Sequence, residues 1–219
     1  MARARQPISA KLVADLLTTA GANRVVATDL HTSQIQGFFS IPVDEVTPMP
    51  LFERYLRTLN LNDVVCVSPD HGGTVRTSKL ASLLNAPIAI IDKRRPRPNE
   101  AEIIGVAGDI QNKTCIIVDD IVDTAGTLCA AASKLVELGA KEVYACITHP
   151  VLSRDAVDKI NKSVIKQLVV TDTIPLSKEK ESPKITVLSL APLFAKIIEA
   201  FEAGTSLYNV YEDFSKNGY

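Results

Sequence analysis

The sequence predicts an α/β fold with a mainly parallel sheet flanked by helices. Two observations point there. Short Val/Ile-rich runs alternate with longer amphipathic stretches along the chain, and the principal apolar runs lead into polar turns that open helices. The chain has 219 residues, 46% hydrophobic and 22% charged, which is material for one large domain or one and a half small ones.

In order, a helix is expected over 8–20 (ISAKLVADLLTTA) and a strand over 24–28 (RVVAT). A strand at 64–68 (VVCVS) runs into a helix at 73–84, and a further strand follows at 88–92 (IAIID). The run 115–119 (CIIVD) leads to a helix at 126–138, a strand at 143–148 and a helix at 154–161. Strands at 166–171 and 185–188 and a helix at 190–203 close the pattern, with the polar stretch 177–184 (SKEKESPK) read as an exposed loop. In such folds ligands sit beyond the carboxyl ends of the strands. Three polar segments fall there: SPDHGG, KRRPRP and DDIVDTAGT.

DDIVDTAGT is the most informative. A β-branched run, a short polar turn and a helix start place backbone N–H groups where a phosphate is stabilised by unpaired donors and the helix dipole. Gly126 lets backbone approach an anion, Thr124 and Thr127 add hydroxyl donors, and Asp119 with Asp120 can hold two hydroxyls of a ribose. The same residue types also make an ordinary β-turn-α capped by Asp123 or Thr124. In Ser68-Pro69-Asp70-His71-Gly72-Gly73 the two glycines can present donors to a pyrophosphate, although a ligand-free helix-start turn reads the same way. Lys93-Arg94-Arg95-Pro96-Arg97-Pro98-Asn99 packs four cations and two prolines into a segment that is either a solvated turn or a device for polyphosphate chemistry.

Composition narrows the classes. A net charge of −1 argues against a nucleic-acid binder. No apolar stretch approaches a bilayer span and the N-terminal MARARQPIS has no apolar signal core, so no membrane role and a cytoplasmic location are expected. Cys66, Cys115, Cys129 and Cys146 lack metal-type spacing and are read as buried thiols.

VDDIVDTAGT resembles the ribose-phosphate fingerprint of type I phosphoribosyltransferases. With PISAKLVADLL (7–17), DLHTSQIQGFF (29–39), SPDHGG (68–73), IIDKRRPRPN (90–99), ITHP (147–150) and VTDTIPL (170–176), the chain resembles the ribose-phosphate pyrophosphokinases, the phosphoribosyl pyrophosphate synthetases. The resemblance implies a type I phosphoribosyltransferase-like fold. It also implies transfer of the β,γ-pyrophosphoryl group of Mg-ATP to the C1 hydroxyl of ribose 5-phosphate, with Mg²⁺ as cofactor.

On that resemblance Asp119, Asp120, Asp123, Thr124, Ala125, Gly126 and Thr127 bind ribose 5-phosphate, and Asp70, His71, Gly72 and Gly73 form the pyrophosphate loop. His31 and Asp70 place the metal, and Lys93 and Arg95 are catalytic, on a flexible loop. His149 is read as structural. Residues 1–45 would be the remnant of an N-terminal phosphoribosyltransferase-like domain, 46–204 a C-terminal one, and 205–219 a tail. In that tail only Ser206 matches the family's regulatory serines, and Tyr208 stands where a small hydroxyl residue is expected. Most of the family's ATP-contacting first domain precedes the PISAK segment, so the strand at 24–28 is expected to leave backbone unpaired at a sheet edge. A second copy, or a longer homologous chain in a hetero-oligomer, is the expected cover. Two alternatives stay open: a non-catalytic or partner-dependent subunit, and a phosphoribosyltransferase that consumes the pyrophosphate.

Overall fold

The computed structural model describes residues 7–97 and 100–217, with backbone alone for 93–97, 100–104, 213 and 215–217. The chain divides into two compact units, the first ending at Pro48 and the second beginning at Met49.

The first unit holds helix α1 (Ser9–Thr19), strand β1 (Val25–Thr28), a 3₁₀ segment (Ser33–Phe38) and strand β2 (Val43–Val46). β1 and β2 pair in parallel from Val25↔Val43 to Thr28↔Val46. The expectation of an unpaired strand is corrected here on one side: VDEV, too short and too acidic to stand out as a strand, supplies β1 with a neighbour inside the chain.

The second unit is built on seven strands: β3 (Val64–Ser68), β4 (Ile88–Arg97), β5 (Glu100–Ala107), β6 (Thr114–Val122), β7 (Glu142–Pro150), β8 (Ile165–Thr171) and β9 (Ile185–Leu188). Their order is β5-β4-β3-β6-β7-β8-β9, parallel throughout except for the β4–β5 pair. The helices are α2 (Met49–Thr58), α3 (Thr74–Leu84), α4 (Gly126–Glu137), α5 (Ala156–Lys162), α6 (Ala191–Glu202) and α7 (Leu207–Asn217). Strands buried on both faces explain the continuous apolar runs. Alternate residues serve opposite cores. Cys115 and Ile117 join Leu128, Ala131 and Leu135 of α4, whereas Ile116 and Val118 join Phe52 of α2 and Leu80 of α3.

From β3 the chain moves outward to β4 through α3, and from β6 it moves the other way through α4 to β7. Since βαβ crossovers are right-handed, opposite directions put α3 and α4 on opposite faces, leaving a crevice between the carboxyl ends of β3 and β6. SPDHGG and DDIVDTAGT leave from those two ends.

Of the expected loop at 93–99, residues 93–97 are strand instead, and 98 and 99 lie outside the described residues. β4 continues to Arg97 as an antiparallel partner of β5, with irregular register between Asp92 and Lys93 and between Arg94 and Arg97. Pro96 falls inside the second irregularity, a place where a strand tolerates a missing N–H. The expected tail forms α7, which touches α2 and α6. No helix of the described residues is long and apolar enough to cross a membrane.

Candidate ribose-phosphate site

Ser68 ends β3, fully buried, and its Oγ donates to the Asp70 carbonyl at 2.6 Å. The Asp70 carboxylate turns back to accept the Gly73 N–H at 3.0 Å, and Thr74 Oγ1 donates to the His71 carbonyl at 2.9 Å. The loop is therefore fixed by its own side chains before any ligand enters. Close approach favours its glycines: a Cβ on Gly73 would lie 2.9 Å from Ser68 Oγ, too close without a shift, and one on Gly72 would lie 3.2 Å from Asp70 Oδ1, a tight contact. The Gly73 N–H, expected to face a pyrophosphate, is engaged by Asp70.

At the second loop β6 runs on to Val122, so Asp119 and Asp120 are strand residues. The turn that follows is held from behind. The carbonyls of Val122 and Asp123 accept from Leu152 N–H (3.1 Å) and Ser153 N–H (3.0 Å), and Lys159 Nζ lies 3.4 Å from the Thr124 carbonyl. Three successive carbonyls thus tie the turn to α5 and the loop before it. Ala125 takes the left-handed conformation (φ 59°), at a cost of about 1 kcal/mol for a residue with a Cβ. The left-handed residue is thus Ala125 rather than Gly126, which opens α4. A Cβ on Gly126 would meet only Thr124 Oγ1, at 3.9 Å. No side chain caps α4. The cap that Asp123 or Thr124 could supply is therefore not what forms, a feature α4 shares with α1, α3, α5 and α6.

Between the loops lies Arg76, one turn into α3, which sequence reasoning missed. Its NH2 is 3.4 Å from Asp120 Oδ2 and its NH1 is 3.9 Å from Asp119 Oδ1. The Arg76 side chain is 14% exposed, Asp120 5% and Asp119 34%. Burial and the neighbouring Asp120 charge push the Asp119 carboxyl up to about 7, opposed by the Asp120 N–H bonded to its Oδ1 at 3.0 Å and by Arg76. A carboxylate so placed gains by meeting hydroxyl donors or a cation. The signal available in the sequence was a cation one turn beyond an anion loop.

The remaining candidates are placed as follows. His31 lies in the first unit, exposed, in a segment ordered by Glu45, whose carboxylate accepts from Leu30 N–H (3.0 Å) and Gln36 Nε2 (2.9 Å). Lys93 and Arg95 lie on β4, with their side chains outside the description; the adjacent Asp92 sits 3.9 Å from His71 Nε2. His149 Nδ1 pairs with Thr173 Oγ1 at 3.0 Å, in a structural setting. The four cysteines are free, Cys66, Cys115 and Cys146 buried and Cys129 partly so. Among the described residues no group of three His, Cys, Asp or Glu side chains converges as a metal cage. Asp70 still suits magnesium, which uses one or two carboxylates and takes its other ligands from phosphates and water.

A family model, the phosphoribosyl synthetase-associated domain, matches residues 63–212, which contain both loops and the β4–β5 arm. The chain belongs to this family. It is 59% identical over 197 residues to ribose-phosphate pyrophosphokinases of Oceanobacillus iheyensis and Bacillus subtilis, covering 90% of this chain and 62% of each relative. The chain thus spans 62% of the length of these relatives. Phosphoribosylpyrophosphate synthetase from Mycobacterium smegmatis superposes with a TM-score of 0.82 at 43% identity, over 92% of this chain and 66% of that one. The α/β architecture read from the sequence is the architecture of this family member.

Proposed function

We propose that the chain acts in ribose-phosphate diphosphokinase chemistry: the C1 hydroxyl of ribose 5-phosphate attacks the β-phosphorus of ATP, giving 5-phosphoribosyl 1-pyrophosphate and AMP. The observation that supports it best is the β6–α4 connection, in which the Asp119–Asp120 pair near the end of β6 and the start of α4 flank one turn. The 5-phosphate rests on the 123–127 turn, with the Thr124 and Thr127 hydroxyls as further donors. The acidic pair meets the ribose hydroxyls and orients the sugar so that C1 faces the 70–73 loop, where the pyrophosphoryl group is received. Lys93 and Arg95 offset charge developing on the leaving AMP and bridging oxygen. Most of the barrier lowering is positioning and electrostatics. Asp70 would supply a hard oxygen for Mg²⁺, and the ion would neutralise polyphosphate oxygens.

The relatives' names, ribose-phosphate pyrophosphokinase, point the same way. A second reading is a partner-dependent subunit, which binds ribose 5-phosphate without turning it over alone. Assembly as a homo-oligomer, or with a longer homologous chain, belongs to the same proposal and is read by light scattering. ³¹P NMR of the chain with Mg²⁺, ATP and ribose 5-phosphate tests the proposal. AMP and the sugar-linked pyrophosphate appear together if it holds. Ribose 5-phosphate binding without turnover selects the partner-dependent reading, and absence of binding overturns both.

A further inference from the structure

We infer that Arg76 is a positioning residue: it holds Asp120 in a buried ion pair and so sets the orientation in which the more exposed Asp119 meets a ribose hydroxyl. This rests on the ribose-phosphate reading and divides an acidic pair that the sequence presents as two equivalent groups.

The strand's period of two makes the division. Ile116 and Val118 face the core shared with α2 and α3, and Asp120 continues that row toward Arg76 on α3. Cys115 and Ile117 face the α4 core, and Asp119 continues that row toward the α4 side, where the phosphate turn begins. Exposure follows the same split, 5% for the Asp120 side chain against 34% for Asp119. A carboxylate buried to that degree stays ionised only with a close partner, and the guanidinium is 3.4 Å from it. Arg76 NH1 is 3.9 Å from Asp119, beyond hydrogen-bond reach, so its pull there is electrostatic.

An arginine just past an anion loop invites reading as a phosphate ligand. Its geometry argues otherwise. Two guanidinium nitrogens lie against carboxylates, and the side chain is 14% exposed, with little of it left for an incoming anion. Because α3 begins at the 70–73 loop, Arg76 ties that loop to the strand end that orients the sugar.

The test is calorimetric titration of ribose 5-phosphate, with inorganic phosphate as a second probe, into the full chain and into Arg76→Gln, Asp120→Asn, their double variant and Arg76→Lys. Arg76→Gln and Asp120→Asn each weaken ribose 5-phosphate about tenfold, and the double variant is within about twofold of either single, as for two groups acting as a unit. Arg76→Lys recovers part of the loss, and phosphate affinity is unchanged in every variant. Additive losses, an unchanged affinity in Arg76→Gln, or an equal loss for phosphate would overturn the inference. Should Arg76→Gln fail to fold, Asp120→Asn and Arg76→Lys, which keep volume, decide it: full affinity in Asp120→Asn overturns the assignment. Absence of ribose 5-phosphate binding by the unaltered chain would instead overturn the functional reading beneath it.

Discussion

Asp119, proposed to meet the ribose, is held at odds with stability. Its carboxyl is raised to about 7 by burial and by Asp120, so the folded protein favours the protonated form. Below pH 3.8, the ordinary carboxylate value, this group costs nothing. As pH rises from there through about 7, ionisation that is free in the unfolded chain is opposed in the folded one, and stability is lost. Asp119→Asn should therefore match the parent in acid and exceed it at pH 8. With 34% of the side chain exposed, water screens much of the effect, leaving about 1 kcal/mol, a rise of roughly 2–4 °C in Tm. Paired melts below pH 3.8 and at pH 8 check it, and equal melting at pH 8 would remove the electrostatic account. The same substitution should weaken ribose 5-phosphate binding. The thiols are a second residue-scale case: burial pushes Cys66 up to about 12 and Cys115 to about 11. Iodoacetamide at pH 8 should leave both unmodified in the native chain and label them after denaturation.

At the scale of the element, the 68–73 loop depends on the missing Cβ of Gly73. Gly73→Ala places a methyl 2.9 Å from Ser68 Oγ, whose hydrogen bond to the Asp70 carbonyl fixes the turn. The expected loss is about 1–2 kcal/mol in urea unfolding, and Ser68→Ala should recover part of it by making room. An unchanged midpoint for Gly73→Ala would show that the contact does not govern the loop. The strand-like character of 88–97 bears on Lys93: Lys93→Ala should lower turnover while leaving ribose 5-phosphate affinity intact, and unchanged turnover would contradict its catalytic assignment.

This is also the scale at which the sequence was least legible. The central strands were plain because burial on both faces demands uninterrupted apolar runs, as in CIIV. β2 and β5 are edge or minor strands rich in acids and carry no such demand. β4 was cut short at Asp92 because Lys93 to Arg97 read as turn chemistry, whereas pairing with β5 decides their conformation. α2 begins at Met49-Pro50, and α7 breaks up its apolar residues with Asn209 and Glu212. Both loops of the site were legible from their glycines, acids and position after strands. Arg76 was not, since its role depends on β3 and β6 being neighbours, and strand order is not written in local pattern.

For the second unit as a whole, the decisive feature is the reversal of direction between β3 and β6. Outward winding on both sides places two helix-starting loops against one crevice, with α3 and α4 on opposite faces of the sheet. A sugar phosphate and a pyrophosphoryl group can then be presented to each other by one rigid sheet rather than by loops that must find one another. The cores on both faces make this platform the most stable part of the unit, so hydrogen exchange should be slowest in β3, β6 and β7.

The central claim is that the start of α4 and the end of β6 form a ribose 5-phosphate site. The most direct test is ¹⁵N amide NMR during titration with ribose 5-phosphate. The largest shifts should fall on Ala125, Gly126, Thr127 and Leu128 with Asp119 and Asp120, while β8 and β9 stay unchanged. Saturable shifts that spare 119–128 and appear elsewhere, or no shifts at millimolar ligand, would contradict the account.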